Sequence, residues 1–153
     1  MEAEIQGYLN EFNITRGLIR DAIKGLDDQA VNWKPLTKET NSIYAILTHL
    51  TGTQNSWMKQ TIAGIPIKRD RETELRASGN MSDAVMRWEN MDKEVDAILT
   101  NLTQAQLRET RKTSGPFGEV TVQWCILHQI SHYAVHLGHI QLTRQAWEQR
   151  TGK

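Results

Sequence analysis

Apolar residues recur along this chain at steps of three and four in four separate blocks, with polar or turn-forming segments between them. In the first block Ile5, Tyr8, Leu9, Phe12, Ile19, Ile23 and Leu26 share one stripe, which predicts an amphipathic helix over residues 3–26. Asn41 or Ser42 can cap a second helix over residues 42–62, carrying Ile43, Ile46, Leu47, Leu50, Trp57, Met58 and Ile62 and stopped by Gly64 and Pro66. Asn80 or Ser82 opens a third, whose stripe runs from Met81 through Trp88, Met91 and Val95 to Leu102. After a short helical turn and a Gly-Pro loop, Thr121 opens the last helix, residues 121–148.

The polar stretch 67–79 (IKRDRETELRASG) reads as a solvated connection and is assigned no chemistry. No alternating run is long enough for a strand pair, and no period of 20–50 residues repeats. Four long helices predict an all-α four-helix bundle, one domain over residues 1–153. The last helix is apolar around much of its circumference (Trp124, Ile126, Leu127, Ile130, Leu137, Ile140), so it needs two buried sides, and a homodimer would supply the second.

Composition narrows the class. Eighteen Lys and Arg balance 18 Asp and Glu among 153 residues, with no basic block to neutralise a run of phosphates, so a nucleic-acid partner is not expected. No run of 18 apolar residues predicts a membrane span, and MEAEIQGYLNEF lacks the basic and apolar regions of a signal peptide. One cysteine, Cys125, excludes an internal disulfide and suits a reducing, cytoplasmic setting.

The candidate chemistry is histidine. His128, His132, His136 and His139 step by four, four and three, which stacks them on one face of the last helix. Two imidazoles so placed can reach one metal ion, and His49, mid-way along the second helix, could add a third from the facing side. Crowded titratable rings in an apolar helix are costly unless something holds them neutral, and a metal does so; a pH-sensing or purely structural cluster is the alternative. Imidazole sets suit zinc, nickel, copper or iron. Metalloprotease HExxH, di-iron ExxH, phosphate-loop, dinucleotide and nucleophile-elbow motifs are all absent.

The segment SIYAILTHLTG (residues 42–52), the pattern HxxxHxxxHxGxI from His128 to Ile140, and NWKP (residues 32–35) together resemble the DinB/YfiT-like superfamily over essentially the whole chain. That resemblance implies a divalent metal, zinc or nickel before iron or manganese, held by His49, His132 and His136. His139 stands where many members have glutamine, which leaves it as a fourth ligand, a donor behind the ligands or a proton acceptor, and His128, one turn before the pair, is read as lying behind the ligands or in the core. The resemblance also implies a metal-dependent S-transferase that activates a low-molecular-weight thiol, bacillithiol or mycothiol, for attack on an electrophile. Metal-dependent hydrolysis by bound hydroxide and a non-catalytic binding module are the competing readings, and no Asp or Glu is assignable near the metal.

Overall fold

The computed structural model describes residues 2–38 and 40–152; Met1 and Lys153, the ends of the expected domain, lie outside them. The four expected long helices are present: α1 (Ala3–Ile23), α3 (Ile43–Gln54), α5 (Met81–Thr100) and α7 (Val122–Thr151). Short helices α2 (Asp28–Asn32), α4 (Arg71–Arg76) and α6 (Gln104–Leu107) fill the connections. The helix starts follow side-chain chemistry: Ser42 accepts from the Ala45 amide, Asn80 from Ser82, and Thr121 from Trp124, each satisfying an otherwise unpaired N–H. Gly25 and Gly152 take φ of 78° and 69° just past α1 and α7, a conformation that costs glycine little.

Four expectations need correcting. The first helix stops three residues short of 26, at the Gly25 turn, and the last runs on to Thr151 until Gly152 ends it. The second helix is not α-helical to 62, because residues Asn55–Ile62 form a π-helical segment, which Ala63 closes by donating to the Met58 carbonyl five residues back. A strand pair does exist: β1 (Thr110–Lys112) and β2 (Glu119–Thr121) form an antiparallel hairpin, with Arg111 opposite Val120. Strands of three residues, none of them buried, carry too little alternation to be seen in the sequence.

Helix α1 packs against α5 and α7, and α3 packs against the same two, so α1 and α3 stand diagonally across the bundle. The core is the predicted stripes: Ile5, Phe12, Ile19, Leu47, Leu50, Trp88, Val95 and Ile140 are all fully buried. Through it runs a polar network that the apolar pattern does not reveal. Arg16 of α1, 1% exposed, pairs with Asp92 of α5 at 2.9 Å and with Asp96 at 2.6 Å. Asp92 also accepts from Gln54 of α3 (2.9 Å) and from the hydroxyl of Tyr133 on α7 (3.4 Å), which in turn accepts from the Trp88 indole (2.9 Å). All four long helices are thereby tied at one level, and the rotation of α7 is fixed at the residue next to His132. Trp33 packs on Trp147, with ring centroids 5.6 Å apart.

Candidate metal centre and its cleft

Because α3 and α7 are neighbours, His49 faces the histidine stripe of α7. The His132 Nε2 lies 3.3 Å from His49 Nε2 and 3.2 Å from His136 Nε2, and one ligand atom from each ring falls within 4.8 Å of the others. These spacings fit a metal. An ion with bonds of about 2.0–2.1 Å in tetrahedral geometry separates its nitrogen donors by about 3.3–3.4 Å. Without a cation, imidazole nitrogens this close must share protons or repel. Burial, reinforced by neighbouring positive groups, pushes the His132 pKa down to about 4 and that of His136 to about 3, so both rings are neutral donors at neutral pH.

The sequence missed the carboxylate behind the centre. Glu74, on α4 in the stretch read as solvated, is buried, and its Oε2 lies 3.0 Å from His49 Nδ1. A neutral His49 with its hydrogen on Nδ1 donates to Glu74 and turns the Nε2 lone pair toward His132, which is the carboxylate–histidine arrangement found behind metal ligands. Arg69 grips the same carboxylate at both oxygens, Nε to Oε1 at 2.7 Å and Nη2 to Oε2 at 2.9 Å. Burial alone would raise the Glu74 pKa, but the hydrogen bonds from Arg69 and His49 outweigh it and the net shift is downward, so Glu74 stays ionised. Helix α4 forms around a single apolar residue, Leu75, because Asp70 caps it by accepting from the Thr73 amide. That cap, an Asp followed by acidic residues in the next turn, was the available sequence signal.

The other histidines sit outside the set of three. His139, on the exposed side of α7, places its Nδ1 3.4 Å from His136 Nδ1, so it meets the far nitrogen of that ring. His128 stacks flat on Trp124 (4.7 Å between centroids, 8° between planes), and its ring is 6.3 Å from that of His132. The Nδ1 of His132 is buried without a hydrogen-bond partner among the described residues. Cys125 is fully buried, which raises its thiol to about 11 and removes it as a nucleophile.

A cleft of about 470 Å³ opens beside the centre. His49 and His132 line it; Trp57 of the π-helical segment, His128 and Phe117 of the hairpin tip form an aromatic wall; Arg69 and Arg71 stand among its polar residues. A smaller cavity of about 290 Å³ lies on the His139 side, lined by Leu36, Ile46 and Leu142.

A bundle of this topology whose second and last long helices converge three histidines defines a DinB/YfiT-like protein. More narrowly, the chain belongs to the mycothiol-S-transferase family, whose model matches residues 6–149. No curated protein matches the chain in sequence. Among solved structures it is similar to a conserved protein from Enterococcus faecalis, with a TM-score of 0.77, 12% identity and coverage of 100% of this chain and 99% of that one. It is also similar to YfiT from Bacillus subtilis, described as a probable metal-dependent hydrolase with an unusual four-helix bundle topology (TM-score 0.75, 15% identity, 99% and 90% covered). At these identities the likeness is one of fold. Among the described residues no helix is long and apolar enough to cross a membrane.

Proposed function

We propose that His49, His132 and His136 bind one divalent metal ion, zinc or nickel, and that this single domain is a metal-dependent S-transferase joining a low-molecular-weight thiol to an electrophile. The observation that carries the reading is the pair of Nε2 separations, 3.3 and 3.2 Å, which match the edge of a tetrahedral nitrogen set. When bound, such an ion supplies uncompensated double charge that holds a thiol as its nucleophilic thiolate at neutral pH. Family membership supports the thiol, of which mycothiol and bacillithiol are the candidates. The chain's own residues do the positioning: Glu74 orients His49, His139 orients His136, and the cleft beside His49 and His132 receives the substrates. In the transfer the sulfur forms the new bond to carbon, the leaving group departs with its electron pair, and the thiol proton passes to solvent. The free cysteine suits a reducing compartment, the cytoplasm.

Hydrolysis at the same ion is the competing reading. A carboxylate base would assist it by taking a proton from water, and among the described residues no Asp or Glu lines the cleft; the nearby carboxylate, Glu74, is already engaged by His49 and Arg69. The deciding experiment incubates zinc-loaded protein with a bimane halide, with and without mycothiol or bacillithiol. Thiol-dependent conjugate formation that is lost in His132→Ala supports the transferase; turnover of ester substrates without any thiol supports the hydrolase.

A further inference from the structure

The charges around the cleft do not cancel. Arg69 is neutralised by its two-point contact with Glu74, whereas Arg71, two residues on, makes no ion pair or side-chain hydrogen bond among the described residues. It nonetheless lines the cleft, whose lining among the described residues includes no acidic side chain; its other polar members are Arg69, the histidines His49, His128 and His132, and hydroxyls such as Ser56, Thr61 and Thr113. The same cleft carries an aromatic surface: the Trp57 and Phe117 rings meet at 5.6 Å, and Phe117 is 48% exposed on the hairpin tip. An unpaired guanidinium in a concave site attracts a carboxylate, and an exposed aromatic pair beside it offers apolar contact.

We infer that the cleft selects an acidic small molecule, one that places a carboxylate on Arg71 and an apolar portion against Trp57 and Phe117, with its reactive end toward His49 and His132. Arg71 is then the residue that determines specificity for charge. The inference rests on reading this cleft as the substrate site of the proposed centre, but its test does not need the metal or turnover.

The probes are 3-phenylpropionate and its uncharged amide, titrated into metal-free protein and followed by the amide and indole NMR signals of Trp57 and of residues 113–118. The acid binds about three- to tenfold more tightly than the amide, a preference between that of an exposed ion pair and that of a charge-assisted hydrogen bond. Arg71→Ala abolishes the preference and Arg71→Lys keeps part of it. Equal binding of acid and amide, a preference that survives Arg71→Ala, or no binding of either probe at millimolar concentration overturns the inference. The bimane assay reports separately on the metal and thiol reading, so either can fail while the other stands.

Discussion

The Glu74 carboxylate occupies the space where any side chain at position 52 would begin: a Cβ built on Gly52 collides with both its oxygens. Gly52 lies one turn beyond His49 on α3, so the missing side chain is what lets α4 press its carboxylate against His49 Nδ1. Gly52→Ala should therefore raise helix propensity by up to about 1 kcal/mol while displacing Glu74. We expect chelator competition to show metal affinity reduced about 10- to 100-fold, as for Glu74→Gln, with the fold retained by circular dichroism. Affinity unchanged in both variants would remove Glu74 from the centre.

Acid should destabilise the metal-free protein through the histidines first. The folded pKa values of His132 and His136, about 4 and about 3, lie below the value of about 6.5 for histidine in an unfolded chain. Between those limits the unfolded state binds more protons, so stability present above about pH 6.5 is lost progressively as pH falls toward 4. Glu74, lowered when folded, adds its own loss only below the ordinary carboxylate range. Urea midpoints of the metal-free protein should fall between pH 7.5 and 4.5, and fall less in His136→Ala.

The Arg16–Asp92 pair is fully inside the bundle, so removing one partner strands the other. Arg16→Ala should cost about 3–5 kcal/mol, read as a lowered thermal midpoint. The double change Arg16→Met, Asp92→Leu should cost less than Arg16→Ala alone, since no charge is left buried.

Leu127, Val135 and Leu142 stand exposed along α7, at 48%, 54% and 66%. Ile14 and Leu18 of the adjoining α1 are exposed as well. The unburied side of α7 expected from its apolar sequence is thus an outward-facing one. A homodimer through this face predicts a dimer by sedimentation at micromolar concentration and a monomer for Val135→Glu, Leu142→Glu; a monomeric parent would exclude it.

The parts legible in the sequence were those that a period reports. Ile5, Leu9, Phe12 and Ile19 declare α1, and the four-residue step from His132 to His136 places both rings on one face of α7 whatever surrounds them. His49 could be proposed as their partner because a bundle must set helices side by side. Glu74 could not, because its helix α4 has one apolar residue and its burial depends on two partners, Arg69 and His49, that sequence does not bring together. Arg16 is hidden for the same reason: a charge on an apolar face looks like a break in the stripe until Asp92 is seen across from it. The hairpin that carries Phe117 to the cleft is held by backbone pairing, which leaves little mark on side-chain identity.

The central claim, one metal ion held across α3 and α7, is tested most directly by elemental analysis of untagged protein, as purified and after zinc reconstitution, beside His49→Ala and His136→Ala. The account predicts about one ion per chain in the parent and loss of it in both variants, with the helical content kept. A parent that takes up no metal after reconstitution, or variants that retain a full equivalent, would contradict it.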